Sequence, residues 1–374
     1  GEPYMVNIDT CNEALPKEQK DLGLEIKQSN LCSEITLPTN EERTAVCCLS
    51  SVNLEHFDSW SKDSNFINDL ITMLDNVLQH FIDNAIDTEQ LGEYNANYKR
   101  FKNYVKEGKE GFTKATYSAY RERSIGLGAM GFHAYLQSKN IPFEGLFATS
   151  FNYKAFKHIK ESSVEASKKL AEIRGEAPDV ANSGMRNAHL LAVAPNASSS
   201  IICGGTSPSI EPFRANTFTH KTLSGSYQVK NKYLDKVLRS KGLKGEELEN
   251  VWKDISANSG SVQHLDILEE NEKEIFKTAN EINQIWVIEH AYKRQEFICQ
   301  SQSVNLFFTL PKATEEQDIH DDYMQYVNDV HWYGMNRLKS LYYFRSDAAR
   351  AAENVNIKVP RIRLDEVECI SCEG

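Results

Sequence analysis

Asn30-Leu31-Cys32-Ser33-Glu34 puts an amide, a thiol and a carboxylate at alternate positions, and Cys47 follows fifteen residues after Cys32. Side chains alternate faces along an extended segment, so Asn30, Cys32 and Glu34 would share one face if this stretch is extended. A helix would turn Cys32 away from the other two. An amide, a thiol and a carboxylate on one face can hold a hydroxylated substrate, attack it and move its proton. A second thiol at Cys47 can supply electrons. The pattern predicts redox chemistry on a polyol.

Other segments carry chemistry of their own. Cys369-Ile370-Ser371-Cys372 lies two residues from the end of the given sequence. A zinc site needs two more ligands at suitable spacing, and none is visible, so a dithiol that cycles with its disulfide is the better reading. Pro195-Asn196-Ala197-Ser198-Ser199-Ser200 offers hydroxyls and backbone amides in a turn, which suits a phosphate or is a plain polar loop. Gly126-Leu127-Gly128-Ala129-Met130-Gly131 matches GxGxxG, but Arg121-Glu122-Arg123-Ser124 stands where a dinucleotide fold needs an apolar strand. Close helix packing is the expectation there. Tyr342-Tyr343 fits core packing or, functionally, a stacked pair of phenols that relays a radical. Cys11, Cys203 and Cys299 read as small buried apolar residues. The ten histidines show no triad or metal spacing, and no metal site is expected.

The elements that position these residues alternate. Residues 4–8 read as a strand, 12–25 as a loop, 30–37 as extended and 45–54 as a buried strand. Apolar residues from Phe66 to Ile82 recur at helical spacing, so 64–86 is an amphipathic helix. A second helix covers about 150–174, closed by Gly175. Leu190–Val193 is a short strand running into the Pro195 turn. This alternation predicts an α/β fold with a parallel sheet. The stretch 226–275 is rich in Lys and Glu and reads as mainly helical. Helices at 274–299 and 320–341 flank a strand at 303–310, and 351–374 reads as a polar tail.

The chain has 374 residues, enough for one large core or two smaller ones. A net charge of −11 argues against nonspecific binding to nucleic acid or an anionic membrane. No apolar run approaches the ~20 residues that span a membrane, and no signal peptide opens the sequence. Eight cysteines in so long a chain do not make a secreted disulfide framework. A reducing, cytoplasmic setting is expected. The sequence opens Gly1-Glu2-Pro3-Tyr4 with no initiator Met, as the interior of a longer protein would.

Together, Ser29–Glu34, Val46-Cys47-Cys48-Leu49-Ser50, Pro195–Ser200, Ile210-Glu211-Pro212, Leu341-Tyr342-Tyr343 and the terminal cysteine pair resemble the C-terminal half of the large, catalytic subunit of class I ribonucleotide reductase. They occur in the family's order over essentially the whole chain. The resemblance implies the second half of a ten-stranded α/β barrel with its finger loop over residues 1–222. A mainly helical α+β domain over 223–350 and a flexible redox tail over 351–374 would follow. It implies reduction of ribonucleoside diphosphates to 2′-deoxyribonucleoside diphosphates. Cys32 looks like the transient thiyl radical that takes the hydrogen of ribose C3′. Glu34 looks like the base for the 3′-hydroxyl proton, and Asn30 binds the sugar hydroxyls. Cys47, with Cys48 as the alternative, looks like one of two reducing thiols whose partner is absent. Pro195, Asn196, Ala197, Ser198 and Ser199 look like the diphosphate cradle. Tyr342 and Tyr343 look like the relay from a metal-bearing small subunit. Cys369 and Cys372 look like the shuttle served by thioredoxin or glutaredoxin; the 26 residues from Tyr343 to Cys369 span roughly 30 Å as coil. No cofactor is implied on the chain itself. The implied partners are the substrate, the small subunit, the reductant and a polypeptide carrying the first half-barrel, split from this one or removed from it. A cobalamin-dependent radical reductase, or a non-catalytic remnant that binds nucleotide or the small subunit, stay open as alternatives.

Overall fold

The computed structural model describes residues 4–84, 113–222, 225–309 and 317–346. Cys369 and Cys372 lie outside the described residues, as does the tail 351–374. The short strands are β1 Met5–Val6, β2 Leu49–Asn53, β3 Gly126–Met130, β4 Thr217–Thr222, β5 Gly225–Lys230, β6 Leu306–Phe308, β7 Ser340–Leu341 and β8 Phe344–Ser346. β2 pairs in parallel with β3, and β6 with β8. β1–β7 and β4–β5 are antiparallel. Bridges continue the parallel run, joining Leu127 to Leu191 and Val193 to Gln302. Extended segments near residues 50, 128, 192 and 302 therefore lie side by side in chain order. The fold is α/β, and no sheet closes on itself among the described residues.

The GxGxxG stretch is the buried strand β3, not a helix contact or a nucleotide loop. A Cβ on Gly126 would come 2.4 Å from the Leu49 side chain, and one on Gly128 2.5 Å from the Ala192 carbonyl. Glycine there lets three strands approach closely. Gly131 takes φ 81° and starts the helix Phe132–Ser138.

Helices pack on this run of strands. Phe66–Asn84 buries Ile67, Ile71, Leu74, Leu78 and Ile82 along one face, each contributing ~1.5–3 kcal/mol of burial. The helix Leu146–Arg174 ends at Gly175, φ 82°. The fully buried Asp75 accepts from Arg123 and Arg174 and is flanked by Arg186, pinning the first helix to two neighbours. The main core draws on residues from Cys48 to Ile210 and from Ile282 to Leu341, while Tyr233–Phe276 builds a smaller cluster around Trp252.

Several local expectations are corrected. Residues 12–25 are not all loop: helices Ile8–Glu13 and Lys17–Asp21 flank a tight turn, the first capped by Asn7. The expected helix at 320–341 spans Gln317–Met335, and the chain then enters β7. Tyr342 and Tyr343 thus follow a strand, not a helix end. The expected helix at 274–299 is the shorter Gln284–Gln295. Cys11 is buried, whereas Cys203 is exposed and Cys299 only partly buried.

Candidate active site

The Asn30 string is not extended. Ser33 N–H donates to the Asn30 carbonyl at 3.1 Å, and Ser33 takes φ 67°, so Asn30–Ser33 is a tight turn. The turn still gathers the polar groups, by a different route. Asn30 Oδ1 accepts from Ile35 N–H at 3.0 Å, and the Asn30 side chain also reaches the Glu34 carboxylate. Glu34 is 3% exposed. Burial pushes its carboxyl up, against hydrogen bonds from Asn30, its own backbone and Ser303.

Ser303 holds the turn from the strand side. Its Oγ lies 2.5 Å from the Cys32 carbonyl and 3.0 Å from Glu34 Oε2; its one proton serves either. Ser301 N–H donates to the Glu34 carbonyl at 2.9 Å, and Ser340 Oγ donates to the Ser33 carbonyl at 3.0 Å. The sequence reading missed these serines. The signal was present in Ser301-Gln302-Ser303, whose alternation sets both hydroxyls on one face of an extended segment.

Cys32 Sγ donates to Tyr342 Oη at 3.5 Å. Tyr342 is 2% exposed, and its ring centroid lies 4.0 Å from that of Tyr343. Burial, Tyr343 and Cys32 all push the Tyr342 phenol up. Tyr4 Oη donates to Tyr343 Oη at 3.1 Å, and its ring packs on both tyrosines. Sequence reading missed Tyr4, which meets this pair only through the β1–β7 pairing. Thiol and phenols form a continuous file of removable hydrogens.

Cys47 and Cys48 separate. Cys48 is buried, donates to the Leu74 carbonyl at 3.5 Å, and burial pushes its thiol up to about 11. Cys47 is exposed on the other side. Lost hydration on its protein-facing side, then the negative charge of Glu34 and the neighbouring thiols of Cys48 and Cys32, push its own thiol up.

The Pro195 turn starts two residues after Val193, whose carbonyl accepts from Ser303 N–H at 2.9 Å. Asn196 takes φ 54°, and its Oδ1 accepts from Ser51 Oγ at 3.0 Å. Ala197–Ile202 is a one-turn helix with Ser198 and Ser199 exposed at its start. The Ser303–Val193 ladder bond ties this turn to the strand that carries Ser303 and so to the Asn30 turn. Among the described residues, no three His, Cys, Asp or Glu side chains group as metal ligands, and no helix is long and apolar enough to cross a membrane.

Behind Cys32 runs a buried support. Lys339 Nζ donates to the carbonyls of Ile298, Cys299 and Gln300 at 2.9, 2.9 and 2.6 Å. It ties the segment entering Ser301–Ser303 to the segment leading to Tyr342.

The α/β scaffold thus seats a thiol beside paired tyrosines, in the same turn as a buried carboxylate. A family model described as ribonucleotide reductase, barrel domain, matches residues 1–179 and 176–344, and the chain belongs to that family. It is 45% identical over its whole length to a ribonucleoside-diphosphate reductase large subunit of Invertebrate iridescent virus 3, covering 54% of that protein. It is 42% identical, again over its whole length, to a putative ribonucleoside-diphosphate reductase large subunit of Frog virus 3, covering 60% of it. A solved class Id ribonucleotide reductase alpha subunit of Actinobacillus ureae superposes with a TM-score of 0.76 and 36% identity, over 92% of this chain and 58% of that one. The chain spans about half the length of the curated relatives it matches.

Proposed function

We propose that this chain is the catalytic part of a ribonucleoside-diphosphate reductase large subunit, reducing ribonucleoside diphosphates to 2′-deoxyribonucleoside diphosphates by thiyl-radical chemistry. The observation that carries the reading is the Cys32 thiol held 3.5 Å from Tyr342 Oη, with the tilted Tyr343 ring 4.0 Å behind. In this reading a small radical-generating subunit draws a hydrogen atom from Tyr343, then Tyr342, then Cys32. The Cys32 thiyl takes the C3′ hydrogen, closing its S–H bond as the C–H bond opens. Glu34 takes the 3′-hydroxyl proton, and burial, which raises its carboxyl, makes it a stronger base than an exposed carboxylate. Asn30 holds the sugar hydroxyls.

Losing the 2′-oxygen as water needs two electrons and two protons. Cys47 supplies half and a second thiol the rest, leaving a disulfide. The exposed side of Cys47, against the buried Cys48, favours Cys47 in this role. The backbone amides at 197–199, with Pro195 and Asn196, cradle the diphosphate. Cys369 and Cys372 return the disulfide to thiols and are themselves reduced by thioredoxin or glutaredoxin.

The parallel run of strands is read as half of a ten-stranded barrel, with Asn30–Glu34 on its finger loop. The open sheet edges support a need for the other half, which brings the second reducing thiol. The test mixes this chain with a first-half polypeptide, a metal-bearing small subunit and a dithiol, and assays CDP reduction. Deoxycytidine diphosphate from the full mixture alone is expected. None from the mixture sinks the activity, and turnover by this chain by itself sinks the need for a complement.

A further inference from the structure

Cys299 stands apart from that site and does not behave as packing. Its Sγ accepts the backbone N–H of Leu190 at 3.1 Å and of Leu191 at 3.2 Å. As a thiol it donates to the Leu191 carbonyl at 3.5 Å, a longer contact than either amide makes. Two successive amides aimed at one sulfur favour its anion, as they do for other anions held by backbone. His189 lies against the same sulfur and is 1% exposed. Its Nε2 is held by Gln19 Oε1 at 2.9 Å, and Gln19 Nε2 donates to the buried Glu122 carboxylate at 3.4 Å. His189 Nδ1 has no conventional hydrogen-bond partner. Thiol, imidazole and a side-chain amide that orients the ring are the parts of an activated cysteine.

The other charged or titratable groups near the sulfur are Lys160 on the helix Leu146–Arg174 and Lys339 before β7, with Cys11 beyond Lys339. Burial alone would push the Cys299 thiol up. The neighbouring His189 imidazole and the Lys160 charge outweigh it and hold the thiol down at about 5. Cys299 lines a cleft of about 610 Å³ together with Lys160, Tyr292, Lys293, Glu296 and Lys339.

We propose that Cys299, His189 and the amides of Leu190 and Leu191 form a second reactive-thiol site, separate from Cys32, whose ligand is a small hydroperoxide. Cys299 is partly buried between the amides and the ring, which suits a reagent of few atoms. The thiolate attacks one peroxide oxygen. An S–O bond forms as the O–O bond breaks, and the sulfur is oxidised by two electrons to sulfenic acid. The peroxide is reduced, and its leaving oxygen takes up a proton to depart as water or an alcohol.

The test treats the full chain with limiting hydrogen peroxide and a sulfenic-acid-trapping diketone, then reads each cysteine by peptide mass spectrometry. Cys299 should be trapped several-fold ahead of the exposed Cys203 and of Cys11 and Cys48, whose thiols burial pushes up to about 11. Its rate should be nearly flat from about pH 6 to 8, where an ordinary thiol gains roughly tenfold per unit. Trapping no faster than Cys203, or a rate climbing like an ordinary thiol's, overturns the proposal. In His189→Asn, trapping at the acid end should fall several-fold; unchanged trapping removes the histidine and overturns the paired site. Modification by glutathione disulfide without modification by peroxide overturns the hydroperoxide assignment.

Discussion

Cys32 and Cys299 sit on the same scaffold among opposite neighbours. Cys32 faces a phenol, a carboxylate and the thiol of Cys47, whose own proton is held tightly. Cys299 faces two amide N–H groups, an imidazole and a lysine. The first surroundings set the thiol hydrogen against a phenol oxygen, the contact that the proposed hydrogen-atom transfer uses. The second remove the proton and leave a nucleophile for two-electron chemistry. One side chain is given two chemistries by what points at it.

Substitutions can break or sharpen this contrast. The largest effect is expected for Cys32→Ser in the reconstituted enzyme, with CDP reduction falling roughly 10⁴-fold or more while far-UV dichroism stays native. Persisting turnover would move the radical chemistry elsewhere. Tyr342→Phe keeps the buried ring but removes the hydrogen that Cys32 meets, so turnover should vanish while substrate binding, by calorimetry, survives.

Glu34→Gln comes next, with turnover down about 10²–10⁴-fold as the base is lost. It also carries a stability signature. Because the folded carboxyl is held above its ordinary 4.5, the folded state binds that proton more tightly than the unfolded chain does. Wild-type stability should therefore fall as pH rises from 4.5 through the raised value, and Glu34→Gln should flatten that part of a melting-temperature profile. Ser303→Ala removes one hydroxyl and should cost about 1–3 kcal/mol of stability, read by urea titration, with a smaller loss of turnover than Glu34→Gln. At the other pole, Cys299→Ser should leave CDP reduction near its unmodified level. A collapse of turnover there would merge the two thiols into one site.

Much of the framework was legible because it is local. The spacing from Phe66 to Ile82 announced its helix, and Gly175 its neighbour's end, since a helix face and its stop are written within a few residues. The candidate residues at 30–34, 47 and 342–343 were legible as types in order. Their arrangement was not. The turn at Asn30 needs Ser33 in a left-handed conformation that few would assign to serine, and it is held by Ser301, Ser303 and Ser340 from the other end of the chain. Tyr4 joins the phenols only through a two-residue strand pairing. Cys299 read as apolar because its polar partners are backbone amides, which every residue carries and no composition reveals. GxGxxG was expected to serve close helix packing, and its glycines serve close strand approach instead.

Lys339 gives these parts a shared mechanics. Its ammonium spends all three hydrogens on consecutive carbonyls, acting as a built-in bound cation. Three residues on stands Tyr342, and three residues past the clamped carbonyls stands Ser303. The phenol that meets Cys32 and the hydroxyl that steadies Glu34 are therefore two arms of one lever with a common fulcrum. Exchanging the Cys299 side chain leaves its carbonyl, and so the fulcrum, in place, whereas losing the Lys339 ammonium frees both arms at once.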